Sequence, residues 1–238
     1  MTPTATFHHL DSPGATDTIT TTGIAATPVS ITKTTVGPMD NSCYLISTGG
    51  DALLIDAAND ADHLLALADS LGVRITDVLT THRHADHVQA LAQVLAATGA
   101  RHHASQQDAP ELPVAVDTRW GAAPDSDAPE RLVTSSDRLN ALAIDLVLLR
   151  GHTAGGLAVI LRTDGDTDGV THVFPGDSLF PGGVGKTGSP GDFTRLLDDV
   201  ERRLFVLPDN SAVHPGHGDD TTLGAERPHL TDWRARGW

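Results

Sequence analysis

The sequence contains one cysteine, Cys43, among 238 residues. A single cysteine excludes any disulfide within the chain, so a reducing compartment, the cytoplasm, is the simplest expected location. The chain also lacks an apolar run long enough to cross a bilayer, and no membrane partner is expected. Its first residues have neither a basic start nor an apolar stretch before a cleavage site, so no secretory leader is predicted.

Positive charge is scarce. The chain has 16 Lys and Arg residues against 31 Asp and Glu, which gives a formal net charge of −15. Only Lys33 and Lys186 are lysines. An acidic surface repels phosphate backbones, so a nucleic-acid partner is not expected. Hydrophobic residues make up 39% and charged residues 20%, which is ordinary globular usage, and the length suits one domain with a sizeable core.

Periodicity predicts the order of strands and helices. Residues 1–28 are rich in Thr, Pro, Ala and Gly without apolar periodicity, which predicts a flexible extension ahead of one domain over residues 29–238. Strands are predicted at 29–36, 43–47, 52–55, 75–81, 142–149, 157–162, 170–174 and 212–214, and helices at 60–71, 88–97, 193–207 and 222–238. Residues 107–137 are rich in Pro and Asp and stay unassigned, as a candidate cover for the site. Two batches of strands, each ending in helices, predict an α/β fold of two packed sheets with helices outside.

Four potential metal ligands lie between the predicted strand 75–81 and the next helix. They are His82, His84, Asp86 and His87. His82 and His84 alternate along extended backbone and can point the same way, whereas the other two enter the helix turn and diverge. Imidazole and carboxylate suit Zn²⁺ and related divalent ions, and two metals would use four such neighbours better than one. The alternative interpretation is a polar helix N-terminus capped by Asp86, with exposed histidines.

Three further polar side chains each follow a predicted strand and are flanked by glycine. They lie in Gly151-His152-Thr153, Gly176-Asp177-Ser178 and Gly216-His217-Gly218. Glycine permits a tight turn and close approach at the end of a strand. Each segment alone is typical of an ordinary turn or loop. Together with the first four ligands they indicate one shared site.

These segments resemble the metallo-β-lactamase superfamily, and within it the short form of the glyoxalase II-like (hydroxyacylglutathione hydrolase-like) branch. The resemblance extends over residues 29–218. It implies an αββα sandwich with two metal ions at one edge. In the implied centre, His82, His84 and His152 hold one metal, Asp86, His87 and His217 hold the other, and Asp177 bridges them.

The resemblance also implies a substrate contact by Lys186, which follows a glycine-rich stretch. In glyoxalase II-like enzymes the basic residue at such a position binds a carboxylate of the thiol half of the substrate. The alternative is a solvated surface lysine. Aromatic positions of the family are replaced by Gly188 and Asp219, so the thiol carrier is left open.

The implied reaction is hydrolysis of an acyl thioester of a low-molecular-weight thiol. Two Zn²⁺, or iron or manganese in their place, would share a hydroxide that acts as the nucleophile. Asp86 and Asp177 would set the charge of the metals and orient that hydroxide. The alternatives are a mononuclear iron persulfide dioxygenase on His82, His152 and Asp177, a lactonase, and a non-catalytic binding protein. The acyl group and the oligomeric state stay open.

The other histidines are interpreted as surface or packing residues. The exception is His214, which lies close to His217 in sequence and is a candidate supporting residue. Cys43, within a predicted strand, is interpreted as a small buried hydrophobe. The remaining histidines are His8, His9, His63, His102, His103, His172 and His229.

Overall fold

The computed structural model describes residues 6–23, 27–163 and 169–237. The strands in these ranges are β1 (Thr16–Gly23), β2 (Thr27–Val36), β3 (Asn41–Thr48), β4 (Asp51–Ile55), β5 (Arg74–Leu79), β6 (Arg101–Ser105), β7 (Thr118–Trp120), β8 (Glu130–Arg131), β9 (Asp145–Leu149), β10 (Gly156–Arg162), β11 (Thr171–Gly176), β12 (Leu179–Phe180), β13 (Gly183–Val184), β14 (Ala212–Pro215) and β15 (Thr221–Thr222). The helices are α1 (Ala61–Ser70), α2 (Leu91–Thr98), α3 (Asp137–Asn140), α4 (Pro190–Arg203), α5 (Leu223–Glu226) and α6 (Leu230–Arg236). No helix within these ranges is long and apolar enough to cross a membrane.

The strands form two mixed sheets. The first has the order β1-β2-β3-β4-β5-β6-β7, antiparallel up to β4 and parallel beyond it. The second has the order β15-β14-β11-β10-β9-β8, in which only β11 and β14 are parallel. A separate two-stranded hairpin joins β12 and β13.

The main core lies between the two sheets. Ile31, Ile46 and Leu79 from the first sheet pack against Val159 and Phe174 from the second. Each such side chain contributes about 1.5–3 kcal/mol relative to an exposed one. The facing of these residues follows the two-residue period of a strand, which puts alternate side chains on the same face.

Helices cover the outer face of each sheet. Leu64 of α1 and Leu91 of α2 belong to a cluster with apolar residues of the first sheet. Leu197 of α4 and Trp233 of α6 belong to the corresponding cluster on the second sheet. The layers are therefore helices, sheet, sheet and helices, and the predicted αββα sandwich is confirmed.

Most predicted elements are present, with shifted ends. The predicted helix 88–97 is instead a 3-10 turn at Ala85–His87 followed by α2. The predicted helix 222–238 is divided into α5, a 3-10 turn at Arg227–His229 and α6. Pro228 lies in that turn, where its missing N–H cannot continue an α-helix. Trp238 lies outside the described residues. Cys43 is fully buried in β3, as predicted.

The N-terminal segment differs from the prediction of a flexible extension over 1–28. Residues 16–23 form β1, which pairs with β2 along its whole length, from Thr16 opposite Thr34 to Gly23 opposite Thr27. Phe7 is only 7% exposed and belongs to the core between the sheets. The signal is weak in the sequence because β1 is an edge strand composed mainly of threonine. Residues 1–5 and 24–26 lie outside the described residues.

The unassigned segment 107–137 supplies edge strands to both sheets. It contains β7 of the first sheet and β8 of the second. Two of its carboxylates contact the His-rich segment. Asp108 accepts a hydrogen bond from the Arg83 backbone N–H at 3.1 Å, and Glu111 lies 2.8 Å from Arg83 Nη1. The segment therefore holds the backbone of Arg83, which lies between the candidate ligands His82 and His84.

Candidate metal centre

The seven predicted ligands lie on loops at one edge of the sandwich. Each loop follows the carboxyl end of a strand: β5 precedes residues 82–87, β9 precedes His152, β11 precedes Asp177 and β14 precedes His217. The structure brings all of them together. Their donor atoms form three overlapping groups within 4.8 Å, which are His82/His84/His152, His82/His87/Asp177 and Asp86/His87/His217.

Asp177 lies between the two outer groups. Its Oδ2 is 3.6 Å from His152 Nε2 and 3.4 Å from His217 Nε2, and its Oδ1 is 3.4 Å from His87 Nε2. His217 Nε2 is also 3.2 Å from Asp86 Oδ2. One carboxylate thus reaches a donor of each outer group, as a bridging ligand must.

Two of the histidines are oriented by a buried pair, Asp56 and Thr81. The Asp56 carboxylate accepts hydrogen bonds from the Thr81 N–H and hydroxyl, both at 2.7 Å, and lies 2.8 Å from His87 Nδ1. The Thr81 hydroxyl, having donated to Asp56, can accept from His82 Nδ1 at 3.0 Å. Both rings therefore keep a proton on Nδ1 and turn Nε2 toward the site, where an unprotonated Nε2 can bind a metal ion.

Two more histidines are oriented by backbone carbonyls. His152 Nδ1 donates to the Lys186 carbonyl at 2.6 Å, and His217 Nδ1 donates to the Met39 carbonyl at 2.8 Å. Since a carbonyl can only accept, the proton of each neutral ring is fixed on Nδ1. Nε2 is then left as the donor atom for a metal.

Several of these donor atoms lack a hydrogen-bond partner in the described part of the chain. His82 Nε2, His152 Nε2 and Asp177 Oδ1 are buried and find no hydrogen-bond partner among the described residues. Buried polar atoms are normally paired, so three unpaired acceptors at one place call for a cation. Imidazole nitrogens and carboxylate oxygens are ligands that divalent transition metals accept, and the residues fit such ions.

The two groups of histidines differ in protonation. Burial, with neighbouring histidines, lowers the pKa of His82 well below its usual value and lowers that of His84. Burial also acts to lower the pKa of His87, but the carboxylates of Asp56 and Asp177 outweigh it and raise that pKa to about 10. Without a metal, His82 and His84 are neutral ligands while His87 is protonated and must lose a proton to bind one.

Asp177 stays ionised in spite of its burial. Burial acts to raise its pKa, but the neighbouring His217 and His87 imidazoles, each 3.4 Å away, hold that pKa well below the usual range. The same carboxylate raises the pKa of His217 against the effect of burial. The carboxylate is therefore a charged donor that neutralises part of the charge of bound cations.

Glycines allow the loops to meet. A Cβ on Gly216 would lie 2.3 Å from Asp177 Oδ1 and 2.8 Å from His87 Cε1. A Cβ on Gly185 would lie 1.8 Å from the Asp177 carbonyl oxygen. Any larger residue at either position would displace the candidate ligands.

A family model described as the metallo-beta-lactamase superfamily matches residues 36–217. The chain belongs to the metallo-β-lactamase superfamily. The matched range includes all seven clustered side chains.

Known members of the superfamily include relatives of this chain. It is 36% identical over 178 residues to a hydroxyacylglutathione hydrolase of Anaeromyxobacter dehalogenans, covering 75% of this chain and 61% of that protein. It is 30% identical over 203 residues to the hydroxyacylglutathione hydrolase GloC of Haemophilus influenzae, covering 81% of this chain and 92% of that protein. The predicted resemblance to this branch is confirmed, although the chain spans only about three fifths of the first relative.

Solved structures of the superfamily share the fold. TTHA1623, solved in a di-iron-bound form, matches with a TM-score of 0.66 at 30% identity over 82% of this chain and 96% of that one. ETHE1 from Myxococcus xanthus matches with a TM-score of 0.64 at 27% identity over 84% of this chain and 82% of that one.

Lys186 contacts the site through its backbone carbonyl group. Its carbonyl orients His152, while its side chain is exposed. The side chain lines a shallow pocket with Val184, Phe193 and Gly237. A substrate contact by this lysine therefore stays a prediction.

Sequence analysis missed Asp56, which supports His87 and the backbone at Thr81. The signal was present, since Asp56 directly follows the buried strand β4 at its carboxyl end. An aspartate is rarely buried unless it is paired, so one at the end of a buried strand indicates a polar partner nearby. The backbone of Asp56 has a φ of 57°, an uncommon conformation for a residue other than glycine.

Proposed function

We propose that the protein is a binuclear metal-dependent hydrolase that cleaves an acyl thioester of a low-molecular-weight thiol. The observation that carries the proposal is the arrangement of seven donors in overlapping groups, with Asp177 reaching both ends. His82, His84 and His152 would hold one ion, and Asp86, His87 and His217 the other. Zn²⁺ is the first candidate for both, with iron or manganese as alternatives.

Bound divalent ions would supply the Lewis acidity that polarises a carbonyl and activates water. The protein residues hold and orient this centre. Asp86 and Asp177 provide negative charge, and Asn41 Nδ2 donates to Asp86 Oδ2 at 3.0 Å, which fixes the direction of that carboxylate. A thiolate leaves readily because its thiol has a pKa of about 8.5, so the reaction needs little help from a general acid.

Cysteine nucleophilic catalysis is disfavoured in this chain. Burial raises the pKa of the Cys43 thiol to about 12, so the thiolate is scarce at neutral pH. Cys43 lies within β3, where solvent does not reach it. One buried, unreactive thiol also suits a reducing cytoplasm, where we place the reaction.

Free cations beside the centre support an anionic thiol half in the substrate. Most arginines form ion pairs, but Lys186 and Arg236 have no acidic partner among the described residues. A Cβ on Gly183 would lie 3.2 Å from Arg236 Nη2, so this guanidinium lies against the start of the loop that ends at Lys186. In a chain with a net charge of −15, unpaired cations beside the site would offset long-range repulsion of an anion.

The test is a substrate screen of metal-free protein reloaded with Zn²⁺, Fe²⁺ or Mn²⁺. Thioesters of several low-molecular-weight thiols are compared with a lactone and a persulfide, and metal content is measured on the same samples. We expect thioester hydrolysis with two ions per chain. A faster reaction with the lactone, oxygen consumption with the persulfide on one iron, or no bound metal would each contradict the proposal and favour one alternative.

A further inference from the structure

Lys33 is buried on the face of β2 that points between the sheets. Its side chain lies on the same face of β2 as those of Val29 and Ile31 and is 2% exposed. It pairs with Tyr44 across β2 and β3, with Nζ 5.9 Å from the ring centroid. An ammonium group buried in a core is costly unless it is paired and hydrogen-bonded, so its partners identify its role.

The two polar partners of the Lys33 ammonium group lie just beyond the candidate ligand His217 in the chain. Nζ donates to the Gly218 carbonyl at 2.8 Å and is 3.1 Å from Asp220 Oδ1. Asp220 is in turn held on its other oxygen, which accepts from the Phe7 N–H at 2.9 Å. The lysine therefore ties the strand at the edge of the first sheet to the loop that carries His217.

Histidines of the second sheet extend this contact. His214 Nδ1 donates to Asp220 Oδ2 at 2.7 Å, and its Nε2 is 2.9 Å from His172 Nδ1. A supporting role of His214 would be exerted through Asp220, because the two ring nitrogens of His214 contact Asp220 and His172. We call Lys33, Asp220, His214 and His172 the Lys33 network.

The backbone of the 215–218 loop is held by donors of the first sheet. Tyr44 Oη donates to the carbonyl of residue 215 at 2.6 Å, the Ser42 N–H to that of 216 at 2.8 Å, and Lys33 Nζ to that of 218 at 2.8 Å. His217 lies between the second and third of these anchors. Among them, only Lys33 holds the carbonyl that follows the ligand.

We propose that Lys33 is a positioning residue that fixes His217 and thereby sets the affinity of the metal ion held by Asp86, His87 and His217. This inference rests on the binuclear centre proposed above. Its effect is selective, because His82 and His152 are oriented by Thr81 and by the Lys186 carbonyl, which the Lys33 network does not touch.

The test measures Zn²⁺ binding by metal-free Lys33→Met in equilibrium dialysis. His217→Ala identifies the ion that depends on His217. We expect that ion to bind about 10- to 100-fold more weakly in Lys33→Met, the usual effect of losing a supporting contact, while the other ion is unchanged. Asp145→Asn is the control, since it neutralises another buried carboxylate, which pairs with Arg131 and Arg162 at the far end of β9.

A second variant separates positioning from charge balance. Lys33→Met/Asp220→Asn removes both buried charges, so it restores neutrality without restoring the donor to Gly218. We expect the double variant to bind its His217-dependent ion as weakly as Lys33→Met does. Lys33→Arg, which keeps a donor, should recover part of the wild-type affinity. Wild-type affinity in the double variant would overturn the proposal.

Other outcomes distinguish this inference from the binuclear proposal. Two ions of unchanged affinity in Lys33→Met, or equal weakening of both ions, would overturn the positioning role alone. A wild-type protein without a His217-dependent ion would overturn both the positioning role and the binuclear centre.

Discussion

Replacing Asp56 by Asn tests how the protein prepares His87 for a metal. Asp56 has donors at both oxygens: the Thr81 N–H on Oδ1, and the Thr81 hydroxyl and His87 Nδ1 on Oδ2. An amide has one oxygen, so its NH₂ group must face one set of donors. If it faces His87, the ring accepts at Nδ1 and carries its proton on Nε2, where the metal would bind.

The magnitude follows from that single contact. A hydrogen bond to a charged group contributes about 1.5–3 kcal/mol, which corresponds to about a 10- to 150-fold lower affinity for the metal ion at His87. The assay is competition for Zn²⁺ between metal-free protein and a chromophoric chelator. Asp60→Asn is the matched control, because Asp60 follows the same strand but caps α1 at the His63 N–H. Equal Zn²⁺ affinity in Asp56→Asn and Asp60→Asn would refute the orientation argument.

Three further predictions concern other parts of the molecule. Lys186→Ala should raise KM for the best thioester about 10- to 150-fold with little change in kcat, because the predicted contact of Lys186 with the thiol half of the substrate is remote from the bond that breaks. The control is Arg101→Ala, which removes an exposed cation at the start of β6 and should leave KM unchanged. Zn²⁺ uptake at pH 7 should release protons, because the pKa of His87 is raised to about 10; affinity should therefore rise with pH, and calorimetry in buffers of different ionisation enthalpy would detect no release if the assignment is wrong. Phe7→Ala should lower the free energy of unfolding by about 3–5 kcal/mol, whereas the exposed His8→Ala should change it by at most about 0.5 kcal/mol; equal urea midpoints would show that the N-terminal segment is not packed.

The candidate ligands could be predicted because metal chemistry restricts residue type and spacing. The segment from His82 to His87 contains four candidate ligands within six residues, which indicates a metal site without any knowledge of the fold. Three glycine-flanked residues complete the ligand set. Strands such as β4 and β10 were predictable because nearly continuous apolar runs are buried on both faces.

The role proposed for Lys33 could not be predicted, since it depends on a distant part of the chain. Lys33 lies in the inward phase of β2, but only the fold shows that Gly218 and Asp220 reach it, 185 and 187 residues later. β1 was missed because an edge strand of threonines lacks apolar alternation, and its stability comes from pairing with β2.

The number of metal ions bound per chain tests the central claim most directly. Purified wild-type protein, dialysed against buffered Zn²⁺ and measured by mass spectrometry of the metal, should hold two ions per chain. Asp177→Ala should hold at most one Zn²⁺ ion per chain with an affinity comparable to that of the wild type, because Asp177 reaches both outer groups of donors. One ion per wild-type chain, or two tightly bound ions in Asp177→Ala, would contradict a centre bridged by this carboxylate.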